Sequence, residues 1–207
     1  MNEAQQPASK VQLWLIILPL VAVFAGAFLL MPRDEAEKAR LLDLLGTSNK
    51  GVLVSPAMPI TGIAAYQDGE PLTWSALKPK WRMIIPITDG CDRACRELLY
   101  VSRQVHIRLD KNTHRVERVL LNLGAALDDS SQQFLTREHT YLRLVSADPQ
   151  AFSELLAPTN ADWQAGRLRL FLADQRGDLM MYYTPEHQGS DMLEDLRHLL
   201  KYSPDPN

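Results

Sequence analysis

The spacing of apolar residues changes several times along the chain, and each change predicts an element. Residues 11–31, "VQLWLIILPLVAVFAGAFLLM", run uncharged between Lys10 and Arg33. At about 1.5 Å per residue such a helix reaches across a hydrocarbon core of roughly 30 Å, which predicts a transmembrane helix. Trp14 suits the membrane interface, and Pro19 is tolerable inside a membrane helix. A cleaved signal peptide is the competing reading, with "AGA" at 25–27 as the cleavage site, but that site lies within the apolar run. Residues 1–10 form a short tail. Residues 32–50 hold Leu41, Leu42, Leu44 and Leu45 close together before Gly46, which predicts a juxtamembrane connector with a short amphipathic helix.

From residue 51 to 203 the pattern is that of one globular domain. "TGIAAY" and "PLTWSA" flank Asp68-Gly69 as a hairpin, and "WRMIIPI" (81–87) is a short apolar strand. The segment from Cys91 to about Leu109 places Cys95, Leu98, Leu99, Val105 and Leu109 at helical spacing. "HRVERVLLNL" (114–123) predicts a strand, "QQFLTRE" a helix and "TYLRLVS" (140–146) a strand. "DPQAFSELLA" (148–157) predicts a helix with Asp148 as N-cap and Pro149 in the first turn. "RLRLFLAD" and "DLMMYYT" flank Gln175-Arg176-Gly177 as a hairpin, and "SDMLEDLRHLLKY" closes the chain as an amphipathic helix capped by Ser190. A parallel strand-helix-strand half, then an antiparallel hairpin and a last helix, resembles the thioredoxin arrangement. The predicted class is therefore α/β, a central mixed sheet flanked by helices, behind one N-terminal transmembrane helix.

Composition narrows the function. With 46% hydrophobic and 23% charged residues the chain can build a sizeable core, and a net charge of −3 without a long basic run argues against nucleic acid as a partner. Two cysteines are too few for a disulfide framework or a four-thiolate zinc site, which leaves one special pair. No G-x-S-x-G, P-loop, H-E-x-x-H or dinucleotide glycine fingerprint occurs.

That pair, Cys91 and Cys95, lies in "PITDGCDRACRELL" at a strand-to-helix turn. Free N–H groups and the positive end of the helix dipole favour a thiolate there. Residues four apart on a helix have neighbouring Cβ atoms about 5–6 Å apart, so both sulfurs can converge on one soft metal ion. Closing a disulfide then calls for an adjustment of the first turn. Arg93 and Arg96 add positive charge, whereas Asp92 opposes thiolate formation. Two cysteines buried as small hydrophobes are the plainer alternative.

"KPKWRMIIPITDGCDRACRELLYVSRQV" resembles the copper-site region of the SCO/SenC cytochrome oxidase assembly proteins, and the likeness extends through "RVERVLLNL", "YLRLVSADPQAFSELLA" and "LRLFLADQRGDLMMYY". The resemblance implies a membrane-anchored thioredoxin fold with Cys91 and Cys95 as two copper-binding thiolates. It further implies a respiratory oxidase subunit or another assembly factor as partner, and a single-pass protein of the bacterial inner membrane with its domain in the periplasm. A count of Lys and Arg opposes that orientation, because only Lys10 precedes the span while Arg33, Lys38, Arg40 and Lys50 follow it.

Three departures from the family pattern stand out. Asp92 replaces a proline, the acidic stretch shrinks to Asp128 and Asp129, and the histidine expected before the first hairpin strand is absent, with Gly166 or a neighbour in its place. Asp128 and Asp129 read as solvated loop residues. His187, at the end of the last hairpin strand, is the best substitute ligand, beside the plainer reading of a solvated loop histidine. His106, His114, His139 and His198 read as ordinary helix or loop residues, and Trp74, Trp81 and Trp163 as packing near the sheet edges. Three functions follow: an SCO-like assembly factor that handles copper as Cu(I) or maintains thiols, a periplasmic thiol-disulfide oxidoreductase, and a non-catalytic interaction module.

Overall fold

The computed structural model describes residues 10–30, 49–161 and 163–205. The predicted tail at 1–9 and almost all of the connector lie outside the described residues. Contacts divide the chain into two units, Met1–Thr47 and Ser48–Asn207.

In the first unit α1 spans Lys10–Leu30, with Pro19 inside it. Side chains are described only for residues 14–28, and nearly all of them are exposed around the whole helix. Among the described residues no helix is long and apolar enough to cross a membrane.

The second unit is built on one eight-stranded sheet. Its strands are β1 (Val52–Pro59), β2 (Ala65–Gln67), β3 (Glu70–Leu72), β4 (Trp81–Ile87), β5 (Val116–Asn122), β6 (Leu142–Ala147), β7 (Leu170–Ala173) and β8 (Asp178–Tyr183), in the order β1-β8-β7-β4-β5-β6-β2-β3. Its helices are α2 (Arg93–Ile107), α3 (Asp129–Glu138), α4 (Pro149–Leu156) and α5 (Gly189–Tyr202). Strands β4, β5 and β6 are parallel, joined by α2 and α3, whereas β7 is antiparallel to both β4 and β8. Strands β8-β7-β4-β5 with β7 reversed are the thioredoxin-like core.

Alternation along the strands decides what each face buries. Trp81, Met83, Ile85 and Ile87 of β4 pack with Leu99 of α2, Leu135 of α3 and Leu193, Leu196 and Leu200 of α5. Ile84 of β4 and Phe171 of β7 face the other way, onto Phe152 and Leu156 of α4. Both faces of β4 are covered, which is why all seven of its residues are buried.

Several local expectations shift. Hairpin β2-β3 is only three residues a side, turned at Asp68 and Gly69, both at positive φ as a two-residue turn requires. Residues 60–62 and 74–76 form 3-10 turns instead of strand. Helix α3 begins earlier than "QQFLTRE", because Asp128 caps it by accepting from the Ser131 N–H at 2.8 Å and so is not a loop solvation residue. Asp148 caps α4 with Pro149 in its first turn, as the sequence predicts. The cap of α5 is Gln188, in a reciprocal box with Asp191, instead of Ser190. Trp81 lies on the central strand β4 and not near an edge.

Candidate functional site

Strand β4 ends at Ile87, and Thr88, Asp89 and Gly90 carry the chain to Cys91. Gly90 has φ +78°, a conformation that costs a side-chain-bearing residue energy, and this turn swings the backbone from the sheet into α2. A second glycine shapes the same turn from outside. A Cβ on Gly124 would lie 1.8 Å from the Thr88 carbonyl oxygen, so the segment after β5 approaches the turn closer than any side chain allows. The Leu123 N–H also donates to the Ile87 carbonyl at 2.8 Å.

Cys91 and Cys95 form a disulfide with their Cα atoms 5.1 Å apart. Both are buried in the core that α2 shares with the sheet. Cys91 does not occupy the first helical turn, contrary to the expectation of a pair on one helix face. It precedes the N-cap, Asp92, whose carboxylate accepts from the Cys95 N–H at 2.9 Å. The bridge therefore joins the residue before the N-cap to the third helical residue. Asp92 thus has a structural role, satisfying a free N–H of the first turn. Arg96 turns back to donate from Nε to the Cys91 carbonyl at 3.2 Å, and its guanidinium lies 4.7 Å from the Phe134 ring centroid.

The two sulfur-bearing residues line different cavities. Cys91 borders an open groove of about 750 Å³ between α2 and α3. Cys95 borders a smaller pocket with Thr88, Asp89, Trp163 and Gly166. Gly166 stands against the turn, its N–H donating to Thr88 Oγ1 at 2.9 Å. Trp163 packs edge-on against Phe152 and lines this pocket.

His187 lies just beyond β8, half-buried, and its Nδ1 accepts from the Thr184 N–H at 3.1 Å and contacts Thr184 Oγ1 at 2.9 Å. Among the described residues no three of His, Cys, Asp and Glu are grouped so as to hold a metal ion. The donors at the site are the two sulfurs alone, a set that suits a soft ion of low coordination number once the bridge is reduced. Gly166 and Arg167 line the same pocket as Cys95.

Behind the groove lies an arrangement the sequence reading missed. Arg118 on β5 is 2% exposed, donating to Ser102 Oγ at 3.1 Å and to the Leu99 carbonyl at 3.0 Å, with Nη2 3.2 Å from His139 Nδ1. Burial lowers the Arg118 pKa to about 10, and Arg103 adds to the shift. His139, read as an ordinary loop residue, is 5% exposed, and burial followed by the Arg118 and Arg103 charges lowers its pKa to about 4. An available signal was alternation: Val116, Arg118 and Leu120 share one strand face, so an arginine had to enter the core. His106 donates from Nε2 to the Thr113 and Val116 carbonyls, and its burial lowers its pKa.

Asp195 of α5 is likewise buried, accepting from the Lys50 and Gly51 N–H groups and from the Tyr183 hydroxyl. The Tyr183 hydroxyl is pushed upward in pKa by burial and by this carboxylate.

A family described as "Transmembrane-like, thioredoxin-like, C-terminal domain" matches residues 81–203. No curated protein matches the chain. Among solved structures, yeast Sco1 with copper bound superposes with a TM-score of 0.56 at 14% identity, covering 72% of this chain and 91% of that one. Apo Sco1 from Thermus thermophilus gives 0.54 at 16% identity, covering 74% and 99%. BsSco, described as a member of the Sco family of cytochrome c oxidase assembly proteins with a disulfide switch, gives 0.53 at 12% identity, covering 72% and 96%. At these identities the likeness shows a shared fold.

Proposed function

The chain belongs to the family of transmembrane-like, thioredoxin-like C-terminal domains, and from that membership we propose that it is a membrane-anchored, Sco-like protein that assists cytochrome c oxidase assembly through Cys91 and Cys95. The observation that carries the reading is the disulfide itself: the only two cysteines of the chain, joined at the strand-to-helix turn of a thioredoxin-like core. Support for the oxidase assignment comes from the Sco proteins that share the fold, one with copper bound and one described as carrying a disulfide switch.

In this reading the pair cycles. A partner dithiol supplies two electrons and two protons, the bridge opens, and Cys91 and Cys95 become thiols while the partner is oxidised to a disulfide. The reduced pair then accepts Cu(I) as cargo on two thiolates, releasing their protons, for delivery to an oxidase subunit. Asp92 and Arg96 keep the backbone at both cysteines in place through this opening. The stretch that follows Lys10, uncharged up to Arg33, serves as the anchor, and the domain works on the periplasmic side of the bacterial inner membrane, where disulfides persist. Residues 11–31 would span, with 32–50 as connector and 51–203 as the working domain.

Titration of the reduced full chain with Cu(I) tests the proposal. One equivalent bound, and lost in Cys91→Ser and Cys95→Ser, is expected, whereas retention in the double variant refutes copper handling. Addition of His187→Ala tests that residue as an auxiliary ligand, and unchanged affinity removes it.

A second reading, a thiol-disulfide oxidoreductase, is favoured by one observation: among the described residues no three of His, Cys, Asp and Glu are grouped so as to hold a metal ion beside the disulfide. Here Cys91 attacks a substrate disulfide and Cys95 resolves the mixed disulfide, so Cys95→Ser accumulates the mixed species and Cys91→Ser forms none. Substrate turnover by the Cys91→Ser variant would rule it out.

A further inference from the structure

The groove beside Cys91 has a chemical character that the redox pair alone does not explain. Arg96, Tyr100 and Arg103 follow one another at spacings of four and three, so they stand on one face of α2, opposite Phe134 of α3. Tyr100 is 58% exposed, and Phe134 is covered on one side by the Arg96 guanidinium. Aromatic surface thus lines a channel that leads to Cys91.

Charge in the groove is uneven. Arg93 is paired with Glu97 at 2.8 Å and Arg137 with Glu138 at 3.0 Å, and Asp92 is engaged in capping α2. Arg103 has no carboxylate within ion-pair distance among the described residues. Arg118, buried behind the wall, has none either, its partners being a carbonyl, a hydroxyl and an imidazole. Among the described residues three arginines, Arg96, Arg103 and Arg118, therefore lack a carboxylate ion pair at or behind this open groove, against the one carboxylate of Asp92 that caps α2.

Resting on the thiol-disulfide reading of Cys91, we infer that this groove docks an acidic, cysteine-bearing peptide segment of the partner protein and presents its sulfur to Cys91. Acidic side chains meet Arg103 and the field of Arg118, while an apolar or aromatic residue of the segment lies on Tyr100 and Phe134. Cys91 borders the groove and Cys95 borders the pocket behind it. A partner thiolate arriving from the groove attacks Cys91 Sγ, the Cys91–Cys95 bond breaks, and Cys95 Sγ leaves with the electron pair.

The test uses the reduced full chain carrying Cys95→Ser in detergent micelles. Three peptides of equal length each carry one cysteine as a mixed disulfide with thionitrobenzoate, flanked by Glu, by Lys or by Ser. Cys91 thiolate attacks the peptide sulfur and thionitrobenzoate leaves as a coloured thiolate, which reports the rate. At low salt the Glu peptide is expected to react about tenfold or more faster than the Lys peptide, with the preference shrinking as salt is raised. Arg103→Glu is expected to abolish or invert the preference, and Arg103→Gln to reduce it should the charge reversal fail to fold. Equal rates for the three peptides, or an Arg103 variant with the wild-type preference, overturn the docking inference and leave the redox reading standing. A Cys91 that reacts with none of the peptides, nor with a small neutral disulfide, overturns the redox reading itself.

Discussion

His139 makes folding stability depend on pH. The imidazole is buried against Arg118, and its pKa falls to about 4 in the folded chain. In the unfolded chain it titrates near the ordinary value of about 6.5. Between these values the unfolded state binds a proton that the folded state refuses, so this contribution to stability is fully present above about pH 6.5 and is lost as pH falls towards 4. The fall from about 6.5 to about 4, at about 1.4 kcal/mol per tenfold change in proton affinity, corresponds to a loss of about 3 kcal/mol. His106, also shifted downward by burial, adds a smaller loss of the same sign. His139→Gln removes the proton site while leaving an oxygen that can accept from Arg118. Urea unfolding of both proteins between pH 7 and 4, followed by tryptophan fluorescence, should give curves that diverge by about 3 kcal/mol, with the wild type falling faster. A wild-type curve parallel to that of His139→Gln, or an NMR midpoint near 6.5 for the His139 ring, would refute the reasoning.

Other perturbations probe the framework around the pair. Asp195→Ala leaves the Tyr183 hydroxyl and the Lys50 and Gly51 N–H groups without their carboxylate, which should cost about 3–5 kcal/mol in denaturant unfolding, and Asn should recover about half. A loss below about 1 kcal/mol would show that water replaces those bonds. Gly124→Ala drives a methyl into the Thr88 carbonyl, so a loss of about 3 kcal/mol and an altered reactivity of Cys91 towards alkylating reagents are expected; wild-type behaviour would place Gly124 outside the support of the turn. Asp92→Ala should cost about 1 kcal/mol through the lost cap and Asp92→Asn almost nothing, because Asn still accepts from the Cys95 N–H. Equal losses in the two would instead point to the charge.

Much of the architecture was legible because its causes are local. A mostly apolar run, interrupted only by Arg82, reads as a buried strand, an Asp-Pro pair as a helix start, and Asp-Gly between short strands as a hairpin turn. Caps were less legible where several residues compete. Gln188 precedes Ser190, and only the reciprocal bond with Asp191 decides between them. Asp92 carried the opposite difficulty: its charge is plain in the sequence, but its acceptor role depends on where α2 begins. Arg118 and His139 lie 21 residues apart on different elements, and no periodicity announces that they meet.

By itself the sequence determined the class of fold, the order of its elements and the scarcity of thiols, because these follow from hydrophobic period, turn chemistry and composition. Tertiary structure decided what those thiols face. It placed Cys91 before the helix cap, turned Cys91 and Cys95 towards separate cavities, set Gly124 against the turn that precedes them, and buried an arginine without a carboxylate behind the groove. Each of these depends on contacts between residues distant along the chain, where close packing and the low polarity of the interior fix positions and charges that no local pattern encodes.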